Sequence, residues 1–193
     1  RSYNLKPPEL SSSVPKKNVI RTLQSSSTSG NTPSTVVLDN ETRKRQMKTL
    51  ILFLSDRLGK KRRPFIVMDV DPNSILVNQP TISARAAAVR GFLTAATTAD
   101  YCMNENTEGE MVLDLERFKY ALSKAQDSGE PAIIFGYTYV FFIYAAKQLE
   151  AKGIRFDLPN VTILHIGGWK KLQAQATDKN TFNQTMNSVF GVK

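Results

Sequence analysis

A chain of 193 residues can bury one core of ordinary size, so a single domain is the first expectation. Hydrophobic residues make up 41% of it, adequate for a globular protein and too few for a membrane protein. Its 26 lysines and arginines against 17 acidic residues give a net charge of +9, which suits a polyanionic partner, either nucleic acid or a nucleotide polyphosphate.

The longest apolar stretch, around Tyr137 to Ala146, falls well short of the roughly 20 residues a membrane span requires. No basic-then-apolar signal segment opens the chain, and a first residue of Arg1 reads as a processed or truncated start. One cysteine, Cys102, excludes an internal disulfide and a cysteine-based zinc site. The expected compartment is the cytoplasm. The basic runs are Lys16-Lys17, Arg43-Lys44-Arg45, Lys60 to Arg63 and Lys170-Lys171. Each reads either as a solvated loop or helix face, or as part of a polyanion site.

Residues 1 to 18, with Pro7-Pro8, Ser11 to Ser13 and Pro15, show no periodicity and read as an extended or disordered lead-in. A nucleotide-binding α/β domain is expected over 19–193. After a short apolar patch at Val19-Ile20 and Leu23 come Ser25, Ser26, Ser27, Thr28, Ser29 and Gly30. Hydroxyls and backbone N–H groups around a glycine can cradle phosphate oxygens. A linker has the same composition.

Thr35 to Leu38 reads as a strand. Asp39 or Asn40 caps a helix with Met47, Leu50, Ile51, Leu54 and Leu58 on its inner face, and Gly59 ends it. From Pro64 the chain alternates. Strands are expected at Phe65–Val70, Asp100–Met103, Pro131–Phe135 and Val161–Ile166. Helices are expected at 82–97, from Asp114 to Gly129, at 139–151 and at 178–190. Such alternation argues for an α/β fold, a mostly parallel sheet with helices on both faces. Right-handed crossovers then gather the carboxyl ends of the strands on one edge, where ligands bind. Gly136-Tyr137 and Gly167-Gly168 both fall there. A glycine pair lets a flat ring lie on bare backbone, although it also makes a tight turn.

Three stretches together resemble the adenylate-forming enzymes, and within them the acyl-protein synthetases of the LuxE type, which activate long-chain fatty acids in bacterial light-emitting systems. Ser25-Ser26-Ser27-Thr28-Ser29-Gly30 is similar to that family's Ser-Ser-Gly-Thr-Thr/Asn-Gly tract. Ile134 to Tyr144 is similar to its Gly-x-Pro-Tyr-Phe-Ile-Tyr stretch. Ile163 to Lys170 is similar to its Ile-Thr-Gly-Gly-Gly-Trp-Lys. The likeness covers roughly residues 19 to 191.

The resemblance implies the fold of an adenylate-forming amino-terminal subdomain and the cofactors ATP and Mg2+. The carboxylic acid implied is a long-chain fatty acid, and the acceptor a protein or thiol, such as an acyl-acceptor protein or a reductase. It implies phosphate binding by Ser25 to Gly30, an adenine shelf of Gly167, Gly168 and Trp169, and an acyl pocket bordered by Gly136, Tyr137, Thr138 and Tyr139. It names no catalytic residue and no metal ligand in this chain. Read from the residues, Trp169 can equally anchor its loop, the tyrosines can be core, and His165 can be a satisfied buried histidine.

The sequence departs from the family pattern in places. Ser27 stands where the family has glycine, the tract is one residue longer before Pro33, and it lacks a lysine. His165 replaces a small or hydroxyl residue. The superfamily's Tyr-Gly-x-Thr-Glu segment, ribose-binding aspartate and catalytic lysine, and the family's acyl-accepting cysteine, find no counterpart before Lys193. The expectation is therefore a fragment that is inactive alone. Cys102, expected in mid-strand, reads as a small buried hydrophobe and not a nucleophile. A nucleic-acid-binding basic domain is the alternative reading. It is weakened because the aromatic residues fall on apolar helix faces and not between the basic runs.

Overall fold

The computed structural model describes residues 12–24, 35–72, 81–108 and 110–192. The chain divides into two compact units, one formed by residues 1–61 and 72–95, the other by 62–71 and 96–193.

The first unit holds β1 (Arg21–Gln24), β2 (Thr35–Leu38), α1 (Asn40–Leu58), β4 (Thr81–Ser83) and α2 (Ala84–Phe92). Its sheet runs β2-β1-β4, with β1 antiparallel to β2 and parallel to β4. Of the apolar patch, Leu23 lies in β1, and Val19-Ile20 lead into it. The Ser25–Gly30 tract lies outside the described residues. Asp39 caps α1, its carboxylate accepting from the Thr42 N–H at 2.7 Å, and Gly59 closes the helix.

The inner face of α1 differs from expectation. Leu54 and Leu58 are buried, but Ile51, Leu52 and Phe53 are exposed. Thr49 to Ser55 carries five apolar residues in succession, and a helix can turn only part of such a run inward. Helix α2 is shorter than the expected 82–97. It is capped by the Ser83 hydroxyl, which accepts from the Ala86 N–H, and a short 3-10 turn at Leu93–Ala95 follows it.

The second unit carries the larger sheet, built from β3 (Arg63–Met68), β5 (Ala96–Tyr101), β8 (Ala132–Tyr137) and β9 (Val161–Ile166). All its neighbours are parallel, in the order β5-β3-β8-β9. A parallel α/β sheet is therefore present, as the alternation implies. The central strands read as unbroken apolar runs because both of their faces are covered. Ile66, Met68 and Ile134 enter one core with Phe118, Leu122, Phe141 and Phe190. Phe65, Val67, Ile133 and Phe135 alternate with them and are equally buried.

Helix α3 (Leu115–Ser128) is capped by Asp114 and ended by Gly129 in the left-handed conformation. The last helix, α5 (Lys179–Phe190), starts on Asp178 and buries Phe182, Met186, Val189 and Phe190, the expected face. Two features went unforeseen. A small ribbon pairs β6 (Met103–Glu105) with β7 (Met111–Leu113). The apolar segment after β8 is a π-helix over Val140–Ala146, continued by α4 (Lys147–Ala151).

Gly136 sits inside β8, which runs through it to Tyr137 instead of stopping there. A Cβ on Gly136 would lie 2.7 Å from the Met68 Cβ and 3.2 Å from the Phe141 ring. Close packing thus requires glycine at this position. Replacing Gly136 by alanine is expected to destabilise the protein by about 1–3 kcal/mol, read as a lower urea midpoint at unchanged slope.

Candidate functional site

Four parallel strands bring four carboxyl ends to one edge. Met68, Tyr101, Tyr137 and Ile166 are the last strand residues there. Along the chain the sheet is entered at β3, extended on one side by β5 and on the other by β8 and β9. The order reverses between β3 and β8, and the crevice at such a reversal is where open α/β sheets take ligands. Asp69 follows β3 at this point, buried, with its carboxylate accepting from the Val70 N–H at 2.8 Å. The apolar run alone places it inside the strand, whereas β3 ends one residue before it. A carboxylate closing an apolar β-run was the signal available.

Thr138 leaves β8 beside the end of β9. Its hydroxyl oxygen lies 2.9 Å from the Gly167 carbonyl, 3.3 Å from the Ile166 carbonyl and 2.9 Å from the His165 Nδ1. A threonine has one proton to give, and carbonyls only accept. Donation to the Gly167 carbonyl satisfies that group and leaves a lone pair for the imidazole. His165 must then be the donor, with its proton on Nδ1. The opposite choice would leave the two carbonyls facing bare lone pairs.

His165 also packs against Phe182, the ring centroids 4.8 Å apart. Phe182 stacks on Phe142 at 6.0 Å, and Phe142 meets Trp169 edge-on at 5.3 Å. Trp169 is half-buried in this group, so its ring anchors the turn that follows Gly168. The Lys147 ammonium sits 5.4 Å from the Phe142 ring centroid, a cation–π contact. Tyr137 and Thr138 are buried, and Tyr139 is half-buried against Tyr144.

The two edge glycines differ. Gly167 has φ +72°, and a Cβ there would stand 3.0 Å from the Tyr137 ring. Gly168 is exposed, its φ is not positive, and a Cβ would meet nothing within 4 Å. The first glycine makes the turn, while the second leaves backbone bare towards open space. The structure therefore brings Gly136, Tyr137, Thr138, Tyr139, Gly167, Gly168 and Trp169 to one end of one sheet.

Cys102 lies just past β5, fully buried, and burial pushes its thiol up to about 12. A thiol reagent is expected to label it only as fast as the protein unfolds, and labelling within the mixing time at about neutral pH would contradict that assignment. Burial lowers the His165 pKa from the ordinary 6.5. The outer edge of the ring is open, but the contact with Phe182 carries the direction. The unfolded chain takes up this proton first. The stability due to neutral His165 is complete above about pH 6.5 and declines below it, down to the lowered folded value. His165→Gln is expected to remove that part of the slope in urea denaturation between about pH 7.5 and pH 5.5.

Among the described residues no group of three or more His, Cys, Asp or Glu could hold a metal ion, and no helix is long and apolar enough to cross a membrane. No curated protein matches the chain. The model of one protein family, described as acyl-protein synthetase, LuxE, matches residues 7–193. With a parallel α/β sheet, an open glycine at its carboxyl edge and a match over nearly its whole length, the chain belongs to the LuxE acyl-protein synthetase family.

Proposed function

We propose that the chain is the nucleotide-handling part of a ligase that activates a carboxylic acid, a long-chain fatty acid, as its acyl-adenylate and passes the acyl group to a protein or thiol acceptor. Membership of an acyl-protein synthetase family carries the reading. The bare Gly168 backbone beside an aromatic anchor supports it, because a purine can lie flat where no side chain stands.

In this reading Gly167, Gly168 and Trp169 form the adenine shelf, and Ser25 to Gly30 hold β- and γ-phosphate oxygens. Tyr137, Thr138 and Tyr139 border the acyl side. Gly136 contributes by letting β8 close on Met68. The carboxylate oxygen attacks the α-phosphorus of ATP, the bond to the β-phosphate oxygen breaks, and pyrophosphate leaves with the electron pair. The protein's part is to orient the two reactants and to stabilise charge on the transferring phosphoryl group. With no three-ligand cluster among the described residues, Mg2+ would be held chiefly through the nucleotide's phosphates, and no residue of this chain is assigned to it.

Carboxylate-dependent exchange of labelled pyrophosphate into ATP, run on the full-length protein across a panel of acids, tests the reaction. Exchange with long-chain acids is expected, and no exchange with any acid overturns the proposal. For the shelf, Trp169 is the only tryptophan and reports locally. ATP should quench its fluorescence. Gly168→Val should abolish the quenching while leaving thermal stability nearly unchanged, since the position is open and its φ is ordinary. Undiminished ATP affinity in that variant would remove the shelf.

A further inference from the structure

We infer that His165 sets the base specificity of this site, accepting through Nε2 a hydrogen bond from an amino group on the bound ring and so selecting a 6-aminopurine over a 6-oxopurine. The inference rests on the reading of Gly167 and Gly168 as a purine shelf.

Three observations lead to it. The Thr138 hydroxyl is committed to the Gly167 carbonyl, which fixes the His165 proton on Nδ1. Nε2 is then the lone-pair nitrogen, and among the described residues it has no hydrogen-bond partner. His165 is exposed at the outer edge of its ring, although the Phe182 against which its inner face packs is buried. The imidazole also lies beside the turn itself, since its Nδ1 and the Gly167 carbonyl each lie 2.9 Å from the same Thr138 hydroxyl oxygen.

An adenine offers an amino group at its sixth position, and a hypoxanthine offers a carbonyl. A lone-pair nitrogen pairs with the first and repels the second, so one contact separates the two bases. Packing against Phe182 favours the neutral ring that this role requires. Thr138 is a positioning residue in this account, because it acts on the ligand only through the tautomer of His165.

The test titrates the whole chain with ATP and with inosine triphosphate, following Trp169 fluorescence. The wild-type protein should favour ATP about tenfold, the worth of one hydrogen bond set against one repulsion. His165→Leu should bring the ratio of the two affinities close to one, and Thr138→Val should lower it as the imidazole is freed to change tautomer. Nitrogen-15 spectra of the unaltered protein provide a readout that no variant's folding can confound. They should show the proton on Nδ1 and a bare Nε2. ATP binding whose preference survives His165→Leu, or a proton found on Nε2, overturns the inference while leaving the shelf intact. If neither nucleotide binds, the shelf itself is wrong, and the inference falls with it.

Discussion

One hydroxyl proton organises the end of the sheet. Past the last ladder bond of a parallel strand, backbone carbonyls lose their ladder partners and must take a side chain or water instead. Thr138 supplies the missing donor to Gly167, and its oxygen takes the imidazole proton in return. The ends of β8 and β9 are thereby tied by a side chain where the ladder stops. A valine would fill the same volume and do neither. The bond also ties the tautomer of His165 to the conformation of the turn at Gly167, so a ligand that meets the imidazole acts on the turn.

Aromatic packing holds this polar arrangement in place. His165, Phe182, Phe142 and Trp169 form a continuous series of ring contacts running from β9 through α5 and the π-helix to the turn after Gly168. Each such pair adds about 0.5–1.5 kcal/mol beyond the area it buries. Phe142 is the hinge of the series, since it meets both Trp169 and Phe182. It lies in a π-helical turn, one residue wider than an α-turn, and such turns recur where a helix must present side chains at an unusual angle. The Tyr137 ring packs directly against Gly167. The turn is therefore packed against at both Gly167 and Trp169, while the backbone of Gly168 stays open.

What was legible in the sequence was local. Asp39, Asp114 and Asp178 announce their helices because a cap is a contact within three residues, and Gly129 announces an end in the same way. The central strands β3 and β8 were legible because burial on both faces leaves a continuous apolar run, and the edge strand β9 because Val161, Ile163, Leu164 and Ile166 keep it mostly apolar although Thr162 and His165 are exposed. Strand β1 was not: Arg21-Thr22-Leu23-Gln24 is mostly polar and owes its conformation to β2 and β4 on either side. The β6–β7 ribbon has three residues per strand, too few for a period to show. The π-helix differs from an α-helix by one residue per turn, which the apolar Val140–Ala146 run cannot express. Of the site, the glycines and aromatics could be named in advance. The bond from Thr138 to His165 spans 27 positions and exists only once β8 and β9 pair.

The Gly-Gly pair shows why a motif must be taken apart into its residues. At Gly167 the constraint is internal. A positive φ and the Tyr137 ring both exclude a side chain, so glycine would be required here with no ligand at all. At Gly168 neither constraint applies. The φ is not in the left-handed range, the space beyond is open, and neither of the two constraints on Gly167 asks for glycine here. A residue whose identity the fold leaves undetermined, exposed at the carboxyl edge of a parallel sheet, is where a requirement from outside the chain would register. The same reasoning separates Gly136, which the Met68 side chain accounts for fully, from the residues that follow it. The structural demand ends at Gly167, and the demand of a bound ring would begin one residue later.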